Sequence, residues 1–181
     1  MRKSDAATRQ ALMITQFFED LSNLAIGKDP GEHELQRIGV AMLALAGTMQ
    51  REESSFRRAV DGEELVYALH ETRGGPSLYL VSDAAGVRSE PHEHRTWAVI
   101  AGLSGVELNV IYEMHEPGGR TVKPVYRQEV KAMDVIRLPA KAIHSTYAMG
   151  AEPTFHLHLY GLPLNELPPY RSRCYSRMPA E

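Results

Sequence analysis

The residues of this chain best equipped for chemistry are its histidines. Of the eight present in 181 residues, five fall in three short segments: Pro91-His92-Glu93-His94, His144, and His156-Leu157-His158-Leu159-Tyr160. Side chains two positions apart on an extended strand point to the same face, so His92 and His94 can present two nitrogens to one metal ion. The same pair also fits strand-lining histidines that hold no metal. His144 follows a further strand and a turn containing Pro139, and an antiparallel barrel can return it to the side of the first pair. Three neutral imidazoles cover one face of a divalent ion and leave positions open for substrate and dioxygen, which suits Fe(II) and, less specifically, Ni, Mn or Zn.

The elements that must position these groups change character along the chain. Up to about residue 60, apolar residues recur at three- and four-residue spacing: Ile14, Phe17, Phe18, Leu21 and Ala25, then Leu35, Ile38, Met42, Leu45 and Met49. This spacing predicts two amphipathic helices. Ser4 and Asp5 are candidate caps for the first, and Gly27 with Asp29-Pro30 is its stop; Glu32 and Glu34 favour the start of the second through its dipole. A shorter third helix is expected from about Glu52 to Val60.

Beyond Gly62 the chain becomes short apolar runs broken by turn residues: LVYAL, SLYLVSD, TWAVIAGL, VELNVIYEM, VKPVYRQEV, DVIRLP, IHSTYAM and FHLHLYG. Seven or eight such strands predict an antiparallel barrel or sandwich with the helices over an outer face or edge. One structural domain is expected, with residues 1–62 as a helical segment packed on the barrel and 63–181 as the barrel with an irregular C-terminal tail.

Composition bounds the function. With 43% hydrophobic and 24% charged residues the chain is of globular type. A formal charge of -3 gives no basic field for a phosphate backbone, so no nucleic-acid partner is expected. No run approaches the ~20 apolar residues of a membrane span, and no signal segment is evident, so a cytoplasmic protein without a membrane partner is expected. The single cysteine, Cys174, excludes an internal disulfide and every multi-cysteine metal site. Any metal must therefore sit on His, Asp or Glu.

The pattern His92-x-His94 with Trp97 following, then Gly105-x-Glu107, then His144, then His156-Leu157-His158-Leu159-Tyr160-Gly161 resembles the thiol dioxygenases of the cupin superfamily, the group of cysteine dioxygenase and 3-mercaptopropionate dioxygenase. The match runs over roughly residues 64 to 161. The resemblance implies a mainly β cupin fold, a double-stranded β-helix or jelly-roll barrel behind two or three N-terminal helices. It also implies Fe(II) on His92, His94 and His144, and oxidation of a small thiol by O2 to the sulfinic acid. Where the general cupin pattern places a glutamate ligand, this chain has Ala98 and Val99, which favours the three-histidine version of the site. The family's outer-sphere relay of serine, histidine and tyrosine maps onto His156, His158 and Tyr160, with histidine in place of serine.

The substrate end departs further. Family members grip a carboxylate with an arginine on an early strand, shortly after a tyrosine; here the segment reads Tyr67-Ala68-Leu69-His70. Tyr67, Leu69, His70 and Arg95 are therefore the expected substrate contacts, with Arg73 and Arg88 as further candidates, unless the substrate carries no carboxylate. A cysteine–tyrosine thioether beside the His-x-His pair is impossible, since that region has no cysteine. Other readings stay open: another metal-dependent oxygenase such as a diketone-cleaving enzyme, a non-oxidative metal-binding cupin, and a sensor or storage cupin. His156 and His158 also fit buried polar residues satisfied by neighbours, or surface residues of an edge strand. The oligomer is expected to be a monomer or homodimer.

Overall fold

The architecture is taken from a computed structural model that describes residues 3–178. Two helices precede the sheets: α1, Lys3–Asn23, and α2, Glu32–Met49. Ser4 and Asp5 fall inside the first turn of α1 rather than ahead of it, and Ala25 turns the chain out of it with φ 51°. The Glu34 carboxylate accepts the Gly31 N–H at 2.9 Å, satisfying one of the donors that a helix start leaves open. Only part of the expected third helix forms. Glu53–Ser55 make one 3-10 turn, and the following residues form no helix, with Phe56 packed on the core and the Ala59 N–H held by the Ser82 hydroxyl at 3.0 Å. A segment with so few inward apolar positions has little packing to stabilise a longer helix. Among the described residues no helix is long and apolar enough to cross a membrane.

Among the described residues ten strands follow: β1 Glu64–His70, β2 Ser77–Asp83, β3 His92–Glu93, β4 Ala98–Ser104, β5 Val106–Met114, β6 Thr121–Lys131, β7 Val135–Leu138, β8 Ile143–Met149, β9 Thr154–Tyr160 and β10 Ser176–Arg177. They form two five-stranded sheets in the orders β1-β2-β9-β4-β7 and β10-β6-β5-β8-β3. Within these, β2-β9-β4-β7 faces β3-β8-β5-β6, the interleaved order of an eight-stranded jelly roll, or double-stranded β-helix. β1 and β10 extend the two sheets at their edges, and β10 runs parallel to β6.

Strand alternation sorts the side chains of the first sheet into two cores. Leu78, Leu80, Val99, Ala101, Phe155, Leu157 and Leu159 face the helices, where they meet Leu35, Ile38, Met42 and Met49; Trp97 joins them. The opposite face of the same strands looks into the barrel and carries Tyr79, Val81, Ile100 and Tyr160. Covering one face with helices and the other with the second sheet buries every residue of β2 and β9, so the interior positions of β9 lie deep in the molecule.

Two glycines permit this closure. A Cβ on Gly102 would lie 2.1 Å from the Lys131 carbonyl oxygen, because the turn after β6 passes directly over β4. Gly105, with φ 75°, makes the β4–β5 turn against Thr154. That turn sets the register in which Glu107 and Asn109 point inward.

Candidate metal centre

β3 and β8 are antiparallel neighbours, with His92 directly opposite His144. His94 lies just past the end of β3 on the same face as His92, and the three rings converge. His94 Nε2 is 3.2 Å from the Nε2 of both His92 and His144. All three side chains are buried. The ligand atoms of these three residues lie within 4.8 Å of one another, and they are the one such group among the described residues.

Their hydrogen-bond partners fix the chemistry of two of the rings. The His92 Nδ1–H donates to the Glu90 carbonyl at 2.9 Å. The Asn109 side chain donates its own N–H to Glu107 Oε1 at 2.8 Å, so its oxygen accepts, and the His144 Nδ1–H donates to it at 2.9 Å. In both rings the proton sits on Nδ1 and the Nε2 lone pair points to the shared centre. Burial, above all, holds all three imidazoles below their ordinary range, to about 4 for His92, so they are neutral ligands near pH 7. A proton on His94 Nε2 can answer only one of the two lone pairs that face it, whereas a cation answers all three nitrogens. The donor set therefore fits a divalent metal ion, and the outer partners Asn109 and Glu90 orient it. Asn109→Ala is expected to weaken metal affinity roughly 10- to 100-fold while leaving the fold intact; competitive chelator titration measures it.

The centre opens on a cavity of about 480 Å³ bordered by His92, His94, His144, His158, Tyr160 and Arg173, among others. On β9, His158 Nδ1 and the Tyr160 hydroxyl are 2.9 Å apart, and the Tyr160 ring lies 4.9 Å from that of His94. Burial lowers His158 to about 3 and raises the Tyr160 phenol far above its ordinary range, so both are uncharged. His156 occupies the same face two residues earlier but borders Glu107, with Nδ1 3.9 Å from Oε2. β9 sits between β2 and β4. Neither histidine is therefore on an edge strand.

The expected substrate contacts on β1 are placed elsewhere. Tyr67 and Leu69 pack on the helix-side core, with the Tyr67 hydroxyl donating to the Arg57 carbonyl at 2.9 Å, and the His70 ring lies 3.9 Å from Phe18. β1 offers the cavity its other face, Glu64 and Val66. For Tyr67 and Leu69 the register is the reason, since LVYAL is apolar on both faces and its inner positions are the alternate ones; His70 shares the alternation of Glu64 and Val66, and the irregularity between Ala68 and His70 turns it toward α1. Arg95, with φ 62°, bonds Glu93 Oε1 at 2.7 Å and does not line the cavity.

The arginines at the cavity are Arg88 and Arg173. Arg173 comes from the C-terminal tail, which is ordered against the ligand segment. Its Nη1–H donates to the Glu93 carbonyl and its Nε–H to the Pro168 carbonyl, both at 2.8 Å. Tyr175 O–H donates to Glu93 Oε1 at 2.7 Å, its backbone N–H bonds Pro91, and the Tyr170 ring lies 5.1 Å from His92. Glu93, between the two histidines, thus anchors the tail from the opposite face of β3. The tail's run of arginines gave no sign of which one turns inward. Asn109 did carry a signal: VELNVIYEM places Glu107 and Asn109 inside and Leu108 and Val110 on the outer groove of the second sheet, a strand with its polarity inverted.

Two buried acids set a pH dependence. Burial, with Glu107 and Glu64 adding repulsion, pushes Asp83 up to about 8, and burial pushes Glu107 up to about 7. The folded state thus retains protons that the unfolded chain has released, and stability falls as pH rises through these values. The buried histidines act in the opposite sense, mainly below the ordinary imidazole value of about 6.5 and with a tail that fades by roughly pH 7.5. Between pH 7 and 8 the metal-free protein is expected to lose roughly 0.5–1 kcal/mol. Urea unfolding across that window should show this slope, and Asp83→Asn should flatten it; an equal slope in the variant contradicts the assignment.

No protein-family model matches the chain, and no curated protein matches it. Among solved structures it is similar to a cupin superfamily protein from Desulfitobacterium hafniense DCB-2 at 18% identity, TM-score 0.47, over 61% of this chain and 87% of that one. It is similar to KdgF from Halomonas sp. at 13% identity, TM-score 0.46, over 61% and 91%. A third likeness is to oxalate oxidase, 22% identical with TM-score 0.42, over 49% of this chain and 42% of that one. The strand order and the converging imidazoles by themselves define a jelly-roll barrel with a three-histidine centre that can hold a metal ion.

Proposed function

We propose that this protein is a non-haem Fe(II)-dependent dioxygenase that oxidises a small thiol to its sulfinic acid. The observation that carries the reading is the convergence of three buried, neutral imidazoles beside a histidine–tyrosine pair on one wall of one cavity. Iron(II), if held by His92, His94 and His144, would let thiolate and dioxygen react by passing electrons from sulfur to O2. With no carboxylate in the set, the bound ion keeps its positive charge, which favours the thiolate form of the substrate.

The chain's own residues do the rest. His158, donating from Nδ1 to the Tyr160 oxygen, leaves the phenolic O–H free to donate to an oxygen or sulfur atom in the cavity. Arg173, with two N–H groups committed to backbone carbonyls, keeps its charge at the cavity wall and complements an anionic substrate. The apolar walls Val66, Val81 and Leu164 limit water. The net reaction adds both atoms of one O2 to the sulfur of one thiolate.

The test is oxygen consumption by protein loaded with Fe(II) without air and then given cysteine, 3-mercaptopropionate, cysteamine or a thiol-free diketone. Uptake with a thiol, one O2 per sulfinate formed, is the expected result. No uptake with any thiol by iron-loaded protein overturns the reading, and uptake with the diketone alone assigns carbon–carbon cleavage instead.

A further inference from the structure

The second sheet ends at β3, a strand of two residues, and two of the three histidines stand on it or just past it. So short a strand has few backbone bonds of its own, and its one ladder is with β8. The C-terminal tail takes its other edge. Cys174 pairs with His92 as an antiparallel bridge, the Tyr175 N–H donates to the Pro91 carbonyl at 2.8 Å, and the Arg173 Nη1–H donates to the Glu93 carbonyl at 2.8 Å. The buried Glu93 carboxylate accepts from the Tyr175 hydroxyl and from Arg95 Nε, each at 2.7 Å. The ladder with β8 stops at Glu93, opposite Ile143, and Arg95 turns the chain away with φ 62°. His94 lies between these two points. Glu90 and Asn109 orient the other two rings, but among the described residues no hydrogen bond holds His94 Nδ1, so its place depends on the backbone that carries it.

The same tail is fixed to the other side of the sheet. Ser176 and Met178 donate their N–H groups to the Arg120 and Val122 carbonyls, and the Arg120 guanidinium donates to the carbonyls of Ser172 and Cys174. β6 and β3 are separated by β5 and β8, so the tail spans from one side of the sheet to the other. On the way Tyr175 packs with Tyr112, Val122 and Ile143, the last of these the chain neighbour of His144. One segment therefore touches the chain beside all three ligands.

We propose that residues 170–178 are a positioning element of the metal centre, and that tail docking and metal binding strengthen each other. With the tail released, the carbonyls of Pro91 and Glu93 and the Glu93 carboxylate lose donors, and β3 is left with a single ladder of two residues. His92 and His94 then have no fixed direction. Only the docked form presents three converging nitrogens, so the apparent metal affinity follows the fraction docked, and by reciprocity the ion tightens the tail. Glu93, Arg120 and Tyr175 are the positioning residues. The inference rests on the three histidines as a metal centre and not on the thiol chemistry.

The test is Co(II) affinity of the full-length protein, by competition with a chelator of known strength in air-free buffer, beside amide hydrogen exchange. Arg120 is exposed and bonds the tail without bonding the ligand segment. Arg120→Gln should weaken Co(II) binding roughly 3- to 10-fold, and Tyr175→Phe, which keeps its ring and loses the bond to Glu93, roughly 10- to 100-fold. Co(II) should also slow exchange of the Tyr175 amide at least roughly tenfold. A role confined to packing predicts instead a lower urea midpoint with Co(II) affinity unchanged. Affinity within about twofold of wild type in both variants, or a Tyr175 amide that exchanges equally fast with and without the ion, overturns the proposal. The Arg120 variant serves if the Tyr175 variant does not fold. Wild-type protein that binds no Co(II) removes the metal centre and the coupling together, whereas binding indifferent to the tail variants removes the coupling alone.

Discussion

Replacing His144 by alanine is expected to cost roughly 100- to 1,000-fold in metal affinity and to bring oxygen consumption to background. Structural metal sites with four ligands bind with about 10–16 kcal/mol in total, so one lost nitrogen accounts for about 3–4 kcal/mol, and each 1.4 kcal/mol is tenfold. His144 is the sharpest choice of the three. It comes from β8, on the far side of the ladder from His92, and its ring is fixed by Asn109 rather than by its own backbone. Alanine there leaves the strand pairing in place and removes a ring that is 1% exposed, so some stability is lost as well. Unfolding at 25 °C should remain cooperative, and equilibrium dialysis against Fe(II) or Co(II) should give less than one ion per chain at concentrations that saturate the wild type. Full occupancy in the variant removes His144 from the ligand set.

Tyr160→Phe is expected to lower kcat roughly 10- to 100-fold, within the range of a lost proton donor, with little change in metal affinity. Phenylalanine keeps the ring packed against His94 and Tyr79, whose centroids lie 4.9 and 5.9 Å away. The variant loses only the hydroxyl held by His158. A purely structural role predicts instead a drop of about 1 kcal/mol in stability with unchanged kcat. Steady-state oxygen uptake beside urea unfolding separates the two, and a kcat equal to that of the wild type denies Tyr160 a place in the chemistry.

Much of the frame is legible in the sequence because local physics sets it. Ile14, Phe17 and Leu21, and Leu35, Ile38 and Met42, repeat at helical spacing and are buried as that spacing requires. The alternation of His156, His158 and Tyr160 with Leu157 and Leu159 places the polar set inside the barrel and the leucines under the helices. What local pattern does not contain is the choice between two apolar faces. Tyr67 and Leu69 lie on the helix side because β1 continues the face of β2 that meets the helices, a fact of sheet order. β3 and β10 are two residues each, too short for any period to register. Arg173 and Asp83 reach the cavity from the tail and from the end of β2, and only the closed barrel brings them there. The Glu52-to-Val60 helix shrinks to a 3-10 turn because its apolar residues are too few to pack a full face.

Cobalt(II) titration of the wild-type protein without oxygen, followed by addition of cysteamine, tests the three-histidine thiol site most directly. One equivalent of Co(II) should bind, and the thiol should add a sulfur-to-cobalt charge-transfer band that the His144→Ala protein does not develop. Binding that ignores the histidine variant, or a spectrum unchanged by thiol at full cobalt occupancy, contradicts a metal centre that takes sulfur as its ligand.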